Sequence, residues 1–145
     1  MSLAEILQHK GSRVLSIVPR ATLADVVQKL VKHNVGALMV CEESDCTQML
    51  GIITERDILK ACAAGKVPLE QYHVSDVMSR DIVTGAPHDT VADAMGVMTD
   101  RRIRHLPIID DDGRLVGLVS IGDLVKSQHD QLTMENHYLK SYIHG

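Results

Sequence analysis

The sequence contains no Trp and no Phe, and aromatic residues make up 2% of its 145 positions. That excludes a stacking platform for single-stranded nucleic acid, which works through aromatic faces. Any core must therefore be built from Val, Ile, Leu, Met and Ala. At 45% apolar residues there is enough material for one compact domain or two small repeats. Long basic runs are also missing. The net charge is −4, and the densest cationic stretch is Arg101, Arg102 and Arg104, so neither nucleic acid nor an anionic membrane is an expected partner. No apolar run approaches the roughly 20 residues of a membrane helix, and the N-terminus lacks a signal-type apolar segment. Cysteine is sparse. Cys41, Cys46 and Cys62 lie in or near apolar segments and are expected as reduced thiols serving as small hydrophobes, in a cytoplasmic protein. The eight histidines and three cysteines show no tight metal-ligand spacing. There is no Walker lysine loop and no Gly-x-Gly-x-x-Gly. The seven methionines are read as core filler.

What is present is a duplication. Gly51, Thr54 and Asp57, followed by Ile58 and Leu59, have the same spacing as Gly117, Ser120 and Asp123, followed by Leu124 and Val125. Each string runs from an apolar strand-like segment into a helix-like pattern. Pro19, Thr22, Asp25 and Leu38 recur as Pro87, Thr90, Asp93 and Leu106 at an offset of 68 (87 − 19). Gly51 and Gly117 differ by 66 (117 − 51), so the turn of the first copy is two residues longer. An indel confined to a turn is what a structural repeat tolerates. Each copy of about 50 residues is small to stand alone, so the copies are expected to pack face to face and share one core.

The order of elements is the same in both copies. A short amphipathic helix over residues 3–10 precedes a strand at 14–18. Thr22 and Asp25 cap a helix whose stripe is Leu23, Val26, Val27, Leu30 and Val31. Strands at 37–41 and 49–53 flank a polar turn at 42–48, and a helix covers 54–64. Residues 66–76 are a linker. The order then restarts with a strand at 82–84, a Thr90-capped helix, strands at 105–109 and 115–119, and a helix from Ser120. Val125, Gln128, Leu132, Glu135, Leu139 and Tyr142 continue its stripe, widened by Tyr138 and Ile143. The spacing predicts a helix that runs on, or breaks once and resumes, to near His144, and needs a partner.

Two β-α-β-β-α units, the run Ile103-Arg104-His105-Leu106-Pro107-Ile108 before an acidic turn, and the doubled Gly-x-x-Thr/Ser-x-x-Asp string resemble a tandem pair of CBS domains, the cystathionine β-synthase repeats that form a Bateman module. The resemblance covers residues 12 to 128. It implies an α/β fold of two repeats packed face to face with pseudo-two-fold symmetry. The implied organisation is an N-terminal helix (1–11), repeat 1 (12–65), linker (66–76), repeat 2 (77–128) and a helical tail (129–145). It further implies a free-standing regulatory module, not an enzyme, binding AMP, ATP or NAD(H) in clefts between the repeats, with the aspartate on the ribose hydroxyls. Carried over by position, one cleft pairs Ile52, Thr54 and Asp57 with Val83, Thr84, Ile103, Arg104 and His105. The other pairs Leu118, Ser120 and Asp123 with Ser16, Ile17, Val35, Gly36 and Ala37. Dimerisation into a flat disc, and a target protein, are further implied partners.

The chemistry suits those residue types. A carboxylate can accept both hydroxyls of a ribose diol, a helix start offers free N–H groups to anions, and Arg104 offers a fork for phosphate, with protonated His105 beside it. Gly36 and Ala37 stand where the second copy has Arg104 and His105, so phosphate anchoring is expected to be unequal. Both Thr54/Asp57 and Ser120/Asp123 are also ordinary helix caps. Two other readings remain: an assembly protein dimerising through its tail with no nucleotide ligand, and a hydrolase using Ser120 and His105. The glycine two before Ser120 that a nucleophile elbow requires is missing.

Overall fold

The computed structural model describes residues 1–11, 13–42 and 46–144. Residues 43–45 of the expected turn, the side chain of Ile143 and the last residue of the tail lie outside the described set. Helix α1 (Leu3–Lys10) leads into strand β1 (Ser16–Ile17), helix α2 (Leu23–His33), strands β2 (Ala37–Val40) and β3 (Gly51–Thr54) and helix α3 (Glu55–Ala63). A short 3-10 turn (Leu69–Gln71) and helix α4 (Val74–Val77) connect to helix α5 (Val91–Arg101), strands β4 (His105–Ile109) and β5 (Leu115–Ser120) and helix α6 (Ile121–His144).

Local chemistry sets the helix ends. Thr22, Thr54 and Thr90 each accept from the backbone N–H three residues on, while Asp25, Asp57 and Asp93 accept from the capping residue's N–H. Each reciprocal pair satisfies two of the donors a helix start leaves free. Asn34 and Arg102 close α2 and α5 in the left-handed conformation, at φ 51° and 55°. They stand 68 apart (102 − 34), so the duplication extends to the C-caps.

The first repeat forms a three-stranded sheet, β1 parallel to β2 and β2 antiparallel to β3. The second forms an antiparallel β4–β5 pair. The strand expected at 82–84 is not formed as a ladder. It is reduced to one parallel bridge, Gly85 to Ile108, with Gly85 N donating to Pro107 O and Ile109 N to Gly85 O. The bridge keeps the repeat register, since Ile17 pairs with Val40 at the same offset of 68. A glycine followed closely by Pro87 weakens strand pairing there. The first-copy strand is likewise shorter than 14–18, although Leu15 and Ile17 carbonyls accept from Met39 and Cys41 N–H groups.

The short helices are exchanged between repeats. Val74 N donates to Ala21 O and Ser75 N to Pro19 O, seating α4 on the first repeat. Leu3 N donates to Asp89 O and Ala4 N to Pro87 O, seating α1 on the second. Leu3 and Val74 are both fully buried in these positions. The stretch expected as a linker, 66–76, is thus packed structure: Leu69, Tyr72 and Val74 all join the first repeat's core.

Packing corrects two expectations. There is not one shared core but three. One lies under each repeat's helices, around Leu23, Val26, Leu38 and Ile53 in the first and Leu3, Met98, Leu106 and Ile108 in the second. The third, between the sheets, contains Ala37, Met39, Ile52 and Leu115. The cysteines divide into a pair and a single residue. Cys41 and Cys46 have Cα atoms 5.6 Å apart, the separation a disulfide needs, and lie at the edge of the inter-sheet core, while Cys62 is free and exposed.

Helix α6 runs unbroken for 24 residues. Leu124 is fully buried in the second core, but Leu132, Met134, Tyr138, Leu139 and Tyr142 are exposed. Among the described residues no helix is long and apolar enough to cross a membrane.

Candidate functional site

Two corners in corresponding positions form where β3 enters α3 and β5 enters α6. At the first, Asp57 Oδ2 accepts from Thr54 N at 2.9 Å and lies 3.1 Å from Thr54 Oγ1, which accepts from Asp57 N at 3.2 Å. At the second, Asp123 Oδ2 accepts from Ser120 N at 2.8 Å and Ser120 Oγ accepts from Asp123 N at 3.1 Å. Among the described residues neither Oδ1 accepts a hydrogen bond. Both carboxylates are part-buried, so each is held in place by its cap with one oxygen left to offer.

Backbone contacts bring the segment before the middle strand against each corner of the same repeat. Glu55 N donates to Gly36 O at 3.0 Å, and Ile121 N to Arg104 O at 2.9 Å. In register Ala37 stands opposite Thr54 and His105 opposite Ser120. Over the first corner the contact between repeats is made by the His105 side chain. A β-carbon placed at Gly36 would lie 3.1 Å from His105 Cε1 and 3.2 Å from Glu55 Oε1, so His105 of the second repeat and Glu55 beside the first corner meet over Gly36. Burial lowers the His105 pKa below the usual histidine value. Glu55 and Asp123 oppose that, while Lys10 and Arg104 add to it. A His105 held neutral donates only one N–H, so it is a weaker phosphate partner than an imidazolium.

The remaining expected residues divide by the surface they face. Ile52, Ala37 and Leu118 lie in or against the inter-sheet core. Val83 and Ile103 pack on the second repeat's core and Ile17 on the first. Thr84, Arg104 and Val35 are exposed. Ser16 is half-buried, and its carbonyl accepts from Lys29 Nζ. The register makes Gly85 the counterpart of Ile17, and so Thr84 that of Ser16.

Two residues near the corners carried no motif. Glu55 is a spacer within the string. Lys10 ends α1 and donates to Asp123 Oδ2 at 2.6 Å and to Leu118 O at 2.7 Å. The Asp123 carboxyl sits below its ordinary pKa. Burial pushes it up, and the Lys10 and Ser120 hydrogen bonds outweigh that. A separate depression of about 630 Å³ is lined by Arg13, Lys29, Lys32, His33, Ser16 and Leu115. Leu115 lies at the far end of β5 from Ser120, and Lys32 and His33 occupy the last turn of α2, where positive charge suits the helix dipole.

The comparisons with known proteins agree with this architecture. The CBS domain family matches the chain twice, over residues 4–64 and 74–130, and the chain belongs to that family. The second match begins at α4 and the first within α1, so the exchanged helices are part of each unit. A mitochondrial CBS domain-containing protein of Arabidopsis thaliana, CBSX3, is 35% identical over 150 residues, covering 99% of this chain and 72% of the relative. The crystal structure of a CBS-domain containing protein of Agrobacterium tumefaciens is 34% identical with a TM-score of 0.80, covering 88% of this chain and 98% of the other. The CBS domain protein PAE2072 of Pyrobaculum aerophilum, complexed with AMP, is 27% identical with a TM-score of 0.73, covering 85% of this chain and 89% of that one. The CBS domain pair of protein MJ0100, in complex with 5′-methylthioadenosine and S-adenosyl-L-methionine, is 25% identical with a TM-score of 0.75, covering 87% and 98%.

Proposed function

We propose that this chain is a regulatory module that binds an adenosine-bearing ligand at the corners of Asp57 and Asp123 and carries out no chemistry on it. AMP, ATP and NAD(H) are the candidate ligands. The observation that carries this reading is the doubled corner: a part-buried carboxylate fixed by its own cap at a helix start, twice, beside the seam between two repeats. Ligands on related CBS pairs contain adenosine in every case named above, which favours a ribose diol as the group the carboxylate takes. The walls offered to the base are the aliphatic residues of the inter-sheet seam, Ile52 and Leu118 among them. Ligand spanning the seam can bias the angle between repeats only through its different affinity for two arrangements. Thermal melts with AMP, ADP, ATP, NAD, NADH and S-adenosylmethionine test this. Stabilisation by one of them that is reduced in Asp57→Ala and in Asp123→Ala and disappears when both are substituted supports it. A shift retained in full in the double variant contradicts it.

One observation favours a second role alongside the first. Val125, Leu132 and Leu139 are all exposed and recur every seven residues along α6, the period of a left-handed helix pair. A homodimer through this face is the reading it supports. Sedimentation should then give a dimer that Leu132→Glu with Leu139→Glu converts to monomer. A monomeric wild type would contradict it.

A further inference from the structure

The two corners are not equivalent, and the difference comes from one helical turn. In the first repeat the outer edge of β3 is covered by backbone. Ser79 N donates to Ile52 O at 2.9 Å and Ile52 N to Ser79 O at 3.0 Å, because the chain leaves α4 after Val77 and extends. The matching helix α1 continues to Lys10. At Leu118, which matches Ile52 at the offset of 66, the carbonyl that a backbone N–H would have taken accepts from Lys10 Nζ instead. The same ammonium reaches Asp123 Oδ2 at 2.6 Å. Asp57 has no cation within bonding distance among the described residues.

We infer that Lys10 is an internal competitor for the Asp123 corner, so that a nucleoside ligand fills the Asp57 corner first and enters the Asp123 corner only as Lys10 lets go of the carboxylate. This rests on the ribose-binding role given to these aspartates above. The chemistry is one of exchange. A charge-assisted bond between ammonium and carboxylate is roughly twice as strong as a neutral one, whereas a ribose hydroxyl is a neutral donor. The two hydroxyls of a diol take both carboxylate oxygens, and Lys10 occupies Asp123 Oδ2, so binding both hydroxyls at Asp123 replaces the stronger bond with a weaker one and releases Lys10 to solvent. Binding at Asp57 displaces no charge, only the rotatable Thr54 hydroxyl. The lysine stem is long enough to swing clear, and its side chain is already 34% exposed, so the competitor is removable. Nucleotide concentration would then be read in two ranges by one chain, with α1 loosening only in the upper one.

Calorimetric titration of the full chain with AMP tests this, using wild type, Lys10→Met, Lys10→Gln, Asp57→Ala and Asp123→Ala. Methionine keeps the apolar stem and removes the charge. The expected result is two events in wild type, the tighter lost in Asp57→Ala and the weaker lost in Asp123→Ala. Both Lys10 variants should tighten the weaker event by about fivefold and leave the tighter one unchanged. Two events of equal affinity in wild type, or a weaker event that loosens in Lys10→Met, would overturn the inference and leave the proposed function standing. No event in any variant would overturn both.

Discussion

Gly51 lies directly against Ser79: a β-carbon at Gly51 would stand 2.8 Å from the Ser79 carbonyl oxygen and 2.8 Å from Met78 Sδ. Its counterpart Gly117 is approached by side chain only, with Leu7 Cδ2 and Cδ1 at 2.5 and 2.7 Å from the same imagined atom. The first position of the Gly-x-x-Thr/Ser string is thus set by the exchanged helices, which press on the strand from outside. Gly51→Ala must move backbone that is hydrogen-bonded to Ile52, whereas Gly117→Ala needs only a leucine end to rotate. Both should destabilise, within the roughly 1–3 kcal/mol typical of overpacking, and Gly51→Ala should cost more. Denaturant midpoints measure this, and an equal or reversed order would contradict the packing account.

His105 couples the repeats through Gly36 and Glu55, and its burial gives that contact a pH dependence. Burial lowers its folded pKa from the ordinary histidine value of 6.5. Between the lowered value and 6.5 the unfolded chain binds the extra proton, so stability is present above about 6.5 and falls as pH drops through it. His105→Gln removes this component. The loss of melting temperature between about pH 7.5 and about pH 5.5 should be smaller in the variant than in wild type. An identical loss would mean that His105 does not titrate against burial.

The cysteine arrangement is simple to check. Cys41 and Cys46 are paired and Cys62 is exposed, so the protein purified without reductant and then denatured should titrate one thiol per chain. Three thiols would show that the pair is reduced. Only five positions separate the two cysteines, so the chain-entropy gain from the bridge is small for a disulfide, and Cys41→Ser with Cys46→Ser should remain folded.

Helix starts and stripes were legible because their causes are local. Thr22 with Asp25, and Thr90 with Asp93, announce their caps within four residues, and Leu23, Val26 and Leu30 announce a face. The duplicated string was legible for the same reason, and the resemblance it carried named the family correctly. What was not legible depends on contacts between distant residues. Nothing in the segment 66–76 says that Val74 will be buried in the first repeat. Nothing in Lys10 says that one more turn of α1 carries it to Asp123, 113 residues away. The strand expected at 82–84 does not form because the pairing falls on Gly85, whose lack of a side chain weakens a strand. The proximity of Cys41 and Cys46 was not legible because a separation of five positions does not by itself fix the distance between two side chains.

The central claim is that Asp57 presents a carboxylate to a ribose diol, and direct binding of AMP against its 2′,3′-dideoxy analogue tests it most closely. Equilibrium dialysis on wild type should show AMP bound and the dideoxy analogue weakened by a factor of about ten or more, as expected when hydrogen bonds to a charged group are lost. The same comparison on Asp57→Ala should show little difference between the two ligands at that corner. Equal binding of AMP and the dideoxy analogue to wild type, or no binding of AMP at all, would contradict the account.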